Sequence, residues 1–339
     1  IPTGSIDKLV LHVNFKGKPK TIQTWKFQAW DHVGAAWINI ADNTSAVDGE
    51  WSAITGQIVA ADFTKYVNTS NILKFRIITT NPLTTDTAKL DQLAFDVVST
   101  PITPSWWQPT PGTTMHIQYA GTINTNLAGV EAYNIDLVDT AQATINAIKA
   151  NGKKVICYFS AGSWEDWRPD QASFPAAVKG QTMDGWPDEK WLDVRALSTL
   201  MPIMEARMDT AVAKGCDAVD PDNMDGYTNS TGFPLTRSDQ LAYFSAIADA
   251  AHERGLGVSL KNAMDLLPEA LADADFSVNE QCHEYNECST LTPFITANKP
   301  VFQIEYNRAT SVFCPASNSA NFDAQKKNLS LDAAATHCR

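Results

Sequence analysis

Ala141-Gln142-Ala143-Thr144-Ile145-Asn146-Ala147-Ile148-Lys149-Ala150-Asn151-Gly152-Lys153-Lys154-Val155-Ile156-Cys157-Tyr158-Phe159 decides the fold. Its first part is a helical stripe that stops at Gly152, where a left-handed cap is expected. Its second part is a short apolar run of the kind that forms a strand buried on both faces. The same grammar recurs downstream. Strand candidates fall at 115–119, 133–138, 154–159, 191–194, 218–221, 257–260, 276–279 and 301–304, and further helical stripes at 200–213, 238–254 and 266–272. Gly215 and Gly255 repeat the cap signal. Eight buried strands alternating with helices over residues 104–339 match a (β/α)₈ TIM-type barrel better than an open dinucleotide-binding sheet. No G-x-G-x-x-G or G-x-x-x-x-G-K-[ST] follows a strand, so nucleotide cofactors have no cradle.

Upstream of about residue 103 the pattern is different. Leu9-Val10-Leu11-His12-Val13, Trp25-Lys26-Phe27-Gln28-Ala29-Trp30, Ala36-Trp37-Ile38-Asn39-Ile40, Leu73-Lys74-Phe75-Arg76-Ile77-Ile78 and Leu93-Ala94-Phe95-Asp96-Val97 are short alternating runs between turn-rich stretches. This is the signature of a small all-β sandwich, residues 1–103, a candidate carbohydrate-binding module. Trp25, Trp30, Trp37 and Trp51 serve either its core or a sugar platform. Thr100-Pro101-Ile102-Thr103-Pro104 makes a stiff linker, because proline fixes φ and holds its predecessor extended.

The 339 residues carry a formal charge of −12, and residues 1–100 hold nine charges of each sign, so the whole excess lies in the second part. That balance argues against nucleic acid, whose phosphates call for a basic stripe, and suits cationic or neutral partners. No apolar run approaches the ~18–20 residues of a membrane span. Six cysteines, Cys157, Cys216, Cys282, Cys288, Cys314 and Cys338, fit disulfides in an oxidising compartment. Cys282 with Cys288, Cys314 with Cys338 and Cys157 with Cys216 are one pairing among fifteen. Sequons at Asn43, Asn68, Asn229 and Asn328, and a start at Ile1 without an apolar leader, fit a processed, secreted protein.

In a parallel barrel the reacting groups project from the C-terminal strand ends. Several candidate strands finish in or beside an acid: Asp136 and Asp139, Asp220 and Asp222, Glu280, and Glu305. Crowding carboxylates at one rim is costly unless it serves a function. Two carboxyl groups flanking a linkage are what glycoside hydrolysis requires. Asp217-Ala218-Val219-Asp220-Pro221-Asp222-Asn223-Met224-Asp225-Gly226-Tyr227 is not an EF-hand loop: counted from Asp220, Met224 and Thr231 stand at ligand positions five and twelve. Cys282-His283-Glu284-Tyr285-Asn286-Glu287-Cys288 lacks a second pair at zinc-finger spacing and reads as a disulfide loop. Neither H-E-x-x-H nor G-x-S-x-G occurs. Trp164-Glu165-Asp166-Trp167-Arg168 mixes rings with acids in the manner of a sugar-subsite wall, and Tyr227 belongs to the same set of loop aromatics, with Trp106, Trp107 and Trp186.

Residues 154–165, the run from Asp220 to Gly226, residues 257–262 and Asn279-Glu280-Gln281-Cys282 together resemble glycoside hydrolase family 114, the endo-α-1,4-polygalactosaminidases, over roughly residues 107–339. The resemblance implies a barrel that cleaves α-1,4-linked galactosamine, as in fungal galactosaminogalactan, by a retaining mechanism with an Asp nucleophile and a Glu acid/base. Carried over, these fall on Asp222 and Glu280, with Asp220 and Asp225 in the same run. Galactosamine bears an ammonium group, so the acidic barrel would attract this cationic polysaccharide, with Asp136, Asp166 and Glu305 as amine partners. Trp164, Glu165, Asp225 and Tyr227 complete the expected substrate contacts. Glu280 is expected to be kept protonated by burial and neighbouring acids. No metal or organic cofactor is called for, no nucleic-acid or membrane partner is expected, and the chain is expected to act as a monomer. A carbohydrate-binding barrel without catalysis and a polysaccharide deacetylase are the rival classes. Intact Asp222 and Glu280 weigh against the first, and the missing metal-ligand set against the second.

Overall fold

The computed structural model describes residues 6–59, 63–66, 73–80, 88–99 and 106–339. Asn68 and the linker at 100–104 lie outside them. The chain divides into two compact units, Ile1–Thr103 and Pro104–Arg339. In the first, β1 (Ile6–Lys16) pairs antiparallel with β4 (Trp51–Val59) and β6 (Lys89–Ser99), while β2 (Trp25–Asp31) pairs with β3 (Ala36–Asp42) and β5 (Phe75–Thr79). A one-turn helix, α1 (Phe63–Tyr66), falls between β4 and β5 in chain order. Alternation sends Leu11, Val13, Phe15, Phe27 and Ile54 into one core. Gly56 is required on β4, because a Cβ there would stand 2.5 Å from the Ile40 carbonyl oxygen of β3. Trp25 packs on the core and Trp37 lies under the Arg76 guanidinium, whereas Trp51 is exposed. Asn43 is buried, its amide nitrogen donating to the Lys18 and Gln23 carbonyls, so the folded unit offers no glycan acceptor there.

The second unit is a TIM-type barrel. Its parallel strands, in sheet order, are β7 (Met115–Ile117), β8 (Ala132–Asp136), β9 (Lys154–Ser160), β13 (Ala218–Asp222), β14 (Gly257–Lys261), β15 (Phe276–Glu280), β16 (Val301–Glu305) and β17 (Asp323–Lys327). β18 (Ala335–His337) runs antiparallel beside β17. Around them lie α2 (Gln142–Ala150), α3 (Leu197–Lys214), α4 (Arg237–Glu253), α5 (Thr292–Thr296) and α6 (Thr310–Ser319). Gly152, Gly215 and Gly255 all take positive φ, as the cap signal predicts. Thr236 and Asp239 form a reciprocal capping box that starts α4. Met115, Ile117, Ile156, Phe276 and Phe302 fill the barrel interior, and Leu200, Met204, Phe244 and Ile247 bury the helices against its outer face. The disulfides are Cys157–Cys216, Cys282–Cys288 and Cys314–Cys338. Among the described residues no helix is long and apolar enough to cross a membrane.

Two sequence expectations are corrected. Residues 191–194 do not supply a barrel strand. Trp191 and Leu192 close β12 (Trp186–Leu192), which with β10 (Ser163–Glu165) and β11 (Lys179–Met183) forms a separate antiparallel sheet inserted after β9. The eighth barrel strand is β17, whose Asp-Ala-Gln-Lys-Lys sequence carries no apolar run. Its polar side chains have a purpose: Asp323 Oδ2 accepts from the Met115 amide at 2.7 Å, and Gln325 Nε2 donates to the Met115 carbonyl at 3.0 Å. Side chains thus satisfy the edge of β7 that backbone pairing would otherwise serve. Residues 266–272 are not one helix but part of two single 3₁₀ turns, Met264–Leu266 and Glu269–Leu271.

Candidate active site

Period-2 alternation builds the site. On β13 the inward series is Ala218, Asp220, Asp222; on β14 it is Ser259, Lys261; on β15 it is Phe276, Val278, Glu280. Each series climbs from small or apolar residues to charge at the C-terminal end. The residue after each charged one, Asn223, Asn262 and Gln281, is left-handed with φ +61, +49 and +65. Such a turn costs a non-glycine residue roughly 1–2 kcal/mol, and here it bends the chain away immediately beyond the functional side chain. Gly162 supports the first turn from below, because its amide donates to the Asp222 carbonyl at 3.0 Å. A Cβ at Gly162 would fall 1.7 Å from the Asn223 carbonyl oxygen.

Lys261 is the centre of the arrangement. Its ammonium lies 3.4 Å from Asp222 Oδ2, 3.6 Å from Glu280 Oε2 and 3.8 Å from Asp220 Oδ2, with the side chain 1% exposed. The first two distances cap the Asp222 Oδ2–Glu280 Oε2 separation at 7.0 Å by the triangle rule. Burial alone would discharge this lysine, yet Asp222, Glu280 and Asp220 hold it well above the usual lysine range. Asp222 and Glu280 are 19% and 20% exposed and line a cleft of about 850 Å³. Asp220 is fully buried beneath them, held by Ser259, by Asn134 at 2.7 Å and by Tyr119 at 3.3 Å, and burial pushes its carboxyl up. Of these two acids on β13, only Asp222 can meet a ligand.

Glu280 departs from expectation. Burial pushes its carboxyl up, but the Lys261 charge, the Tyr306 hydroxyl and the Asn262 amide at 2.9 Å outweigh it and hold Glu280 below the usual carboxylate range. These donors favour the carboxylate form of Glu280, the opposite of the direction that burial and neighbouring acids alone would give.

The other predicted contacts divide. Asp136, Glu165 and Asp225 line the cleft. Asp136 is already engaged: Arg168 grips both oxygens at 3.0 and 2.7 Å, and the Val138 and Asp139 amides donate to it. Burial and the Asp222 charge push the Asp225 carboxyl up. Trp164 points to the opposite face of β10 from Glu165, where Lys179 and Lys190 cover its ring, so it is no subsite wall. Asp166 is exposed outside the cleft. Tyr227 packs on the helix-side core. Glu305 is fully buried, accepting from the His283 amide at 2.8 Å and Gln303 Nε2 at 2.7 Å. Alternation explains this last case: Phe302 and Ile304 face inward, so Glu305 faces out and Tyr306 faces in, on Glu280.

Sequence reasoning missed Lys261, Asn262, Tyr306 and Glu189. For Lys261 a signal existed, since extending β14 by one inward step puts a lysine at the strand end. The exposed rings in the cleft are Trp167, Trp186 and Tyr285, 47%, 52% and 64% exposed. Trp106 is instead an anchor, stacked on His252 with ring centroids 3.9 Å apart.

A parallel barrel with two reachable carboxylates on one lysine, at the C-terminal strand ends of an open cleft, is the constellation of a glycosidase. Residues 98–339 match glycoside-hydrolase family GH114, and residues 1–92 match the N-terminal glycosyl-hydrolase-114-associated domain. The chain belongs to glycoside-hydrolase family GH114. It is similar to Ega3 of Aspergillus fumigatus, solved in complex with galactosamine: 41% identical, TM-score 0.65, covering 68% of this chain and 97% of that one. The glycoside hydrolase domain of PelA from Pseudomonas aeruginosa shares the fold, with TM-score 0.53 at 15% identity, over 66% of this chain and 98% of that one. An uncharacterised protein of Deinococcus radiodurans is 27% identical over 259 residues, 66% of this chain and 82% of its own length.

Proposed function

We propose that this protein is a secreted glycosidase that cleaves α-1,4-linked galactosamine polymers internally, with Asp222 as nucleophile and Glu280 as acid/base. The observation that carries this reading is the Asp222–Lys261–Glu280 bridge, which keeps two reachable carboxylates within 7.0 Å at one end of the barrel. Retaining enzymes hold their pair about 5–5.5 Å apart and inverting ones about 6.5–9.5 Å, so the cap leaves out most of the inverting range. Nine carboxylates and two cationic side chains line the cleft among the described residues. That balance suits a sugar whose amine is protonated at neutral pH, and the galactosamine held by the similar Ega3 structure supports the same sugar. The α-1,4 linkage and internal cleavage follow the family resemblance. The three disulfides favour an oxidising, extracellular setting.

In the first step an Asp222 oxygen attacks the anomeric carbon while Glu280 gives its proton to the departing glycosidic oxygen. In the second, the Glu280 carboxylate takes a proton from water, the water oxygen attacks, and the carbon–Asp222 bond breaks to restore both groups. Lys261 stays charged throughout and stabilises Asp222 as it leaves. Lys261, Tyr306 and Asn262 favour the base form of Glu280, which the second step uses. A bound polymer excludes water and favours the acid form, which the first step uses. Because the protonated fraction of Glu280 falls as pH rises, the first step is expected to be fastest on the acid side of neutrality.

The test is reducing-end release from a deacetylated α-1,4-galactosamine polymer. Asp222→Asn and Glu280→Gln are each expected to lower turnover by about three or more orders of magnitude without loss of fold. Near-normal release by either variant removes that residue from the mechanism, and none from the wild-type protein removes the substrate.

A further inference from the structure

Beside Asp222 lies a closed set of side-chain hydrogen bonds that the two chemical steps do not use. Ser160 ends β9 and Ser163 begins β10, and both are fully buried. Their hydroxyls meet at 2.5 Å. Asn223 Nδ2 donates to Ser160 Oγ at 2.8 Å and to Ser163 Oγ at 3.1 Å, and the Ser163 amide donates to Ser160 Oγ at 3.1 Å. Ser163 Oγ donates in turn to Glu189 Oε2 of β12, at 2.6 Å. A hydroxyl has one proton and two lone pairs, and that inventory fixes the direction of every bond. With the Ser163 proton on the Glu189 carboxylate, the Ser163 lone pairs take Asn223 and the Ser160 proton. Those of Ser160 take Asn223 and the Ser163 amide. Every proton and lone pair is used. Reversed by a proton on Glu189 Oε2, the set would give Ser160 three donors for its two lone pairs and strand the Ser160 proton.

The set is fixed at one end and aimed at the nucleophile at the other. Arg207 Nη1 donates to the Ser160 carbonyl at 2.6 Å and the Tyr243 hydroxyl to the Ala161 carbonyl at 2.8 Å, so α3 and α4 hold the turn that carries both serines. Asn223 takes its left-handed turn directly after Asp222, and its backbone amide donates to Asp222 Oδ1 at 2.8 Å, while Lys261 lies 3.4 Å from Oδ2. Whatever orients Asn223 therefore orients the plane of the Asp222 carboxylate. We propose that Ser160, Ser163 and Glu189 are positioning residues that hold Asn223, and through it Asp222, in the attacking geometry, and that the ionised form of Glu189 sets their order. The inference rests on the reading of Asp222 as nucleophile and adds the residues that aim it. Burial raises the Glu189 carboxyl to about 7, so the set orders as pH rises through neutrality. The charged groups that bear on Glu189 are Glu165 on the facing strand, Asp222 on β13 and Arg168, whereas Lys179 and Lys190 lie on the other face of the sheet over Trp164.

The experiment compares the full wild-type chain with Glu189→Gln and Asn223→Gly at pH 5.5 and pH 8, by reducing-end release and by NMR of the Asn223 side-chain amide, identified by its loss in Asn223→Gly. Glutamine keeps an acceptor for Ser163 but not the charge. For Glu189→Gln, kcat is expected about tenfold below wild type at pH 8 and close to wild type at pH 5.5, with KM within about twofold at both. A merely structural role would not give this pattern, because removing the raised carboxyl is also expected to raise Tm at pH 8. Asn223→Gly accepts the left-handed turn without the side chain, and is expected to lower kcat about tenfold at either pH, its fold checked by the melting curve. In wild type the amide resonance is expected to shift with a midpoint close to the Glu189 value of about 7, and in Glu189→Gln to stay flat. A kcat ratio that does not change with pH, a loss confined to KM, or an amide that does not titrate overturns the proposal. The two readings fail separately. A titrating amide in a protein that releases no reducing ends leaves the hold on Asn223 standing and removes the polymer hydrolase. Polymer cleavage with a flat amide does the reverse.

Discussion

Two acidic clusters share one cleft, and the same physics moves Glu280 of one and Glu189 of the other in opposite directions. Around Lys261, three carboxylates share one buried ammonium, and Glu280 is held below the usual carboxylate range by that charge, with Tyr306 and Asn262 each adding a donor. Around Arg168, the guanidinium satisfies Asp136 and half of Glu165, and Glu189 is left with one hydroxyl and a carboxyl raised to about 7. Counting charges does not distinguish the clusters. Directed donors do, because each hydrogen bond to a carboxylate favours its ionised form while burial opposes it.

The largest expected effect comes from emptying the first cluster of its cation. Lys261→Met is expected to lower turnover by two orders of magnitude or more and to destabilise the fold by about 3–5 kcal/mol, since it leaves buried carboxylates unpaired. An unchanged melting curve and rate would show that Lys261 is not the hub. Next comes the backbone under Asp222. Gly162→Ala drives a methyl into the Asn223 carbonyl, and is expected to cost about 10²-fold in turnover by displacing the nucleophile, more than it costs in substrate affinity. A loss confined to KM would place the disturbance elsewhere.

A smaller effect distinguishes the second cluster by pH. The Glu189 carboxyl is raised from 4.5 to about 7 in the folded chain, so the folded state holds its proton longer than the unfolded one. The resulting penalty is absent below about pH 4, grows as pH rises between the two values, and is complete above 7, on the order of 3 kcal/mol. Glu189→Gln is therefore expected to raise Tm relative to wild type at pH 8 and to match it near pH 4. A gap of the same size at both pH values would show that the Glu189 carboxyl is not raised. The smallest expected effect is at the rim: Trp186→Ala is expected to raise KM several-fold with kcat nearly unchanged, the loss of one stacking surface.

Much of this was legible from residue pattern, and the failures share a cause. Seven of the eight barrel strands announce themselves as apolar runs. The eighth, Asp323–Lys327, is hidden because its polar side chains bond the edge of β7 across the barrel seam, a partnership 208 residues apart in sequence. Asp222 and Glu280 are visible because an acid ending a buried strand is unusual. Glu305 looked equivalent but faces away by one step of alternation, and Tyr306 takes its place. Trp164 and Glu165 are neighbours in sequence, but adjacent strand residues face opposite sides, one toward lysines and the other into the cleft. The protonation of Glu280 was beyond sequence, because its donors arrive from β14 and from beyond β16.

The central claim, that Asp222 is the nucleophile facing Glu280, is tested most directly by trapping the glycosyl-enzyme. Glu280→Gln incubated with α-galactosaminyl fluoride needs no acid for the first step, since fluoride leaves unaided, and lacks the base for the second. Intact-mass analysis and peptide mapping are expected to find one galactosaminyl group on Asp222. Attachment at another residue, or turnover of the fluoride with inverted anomeric configuration and no adduct, would contradict the account.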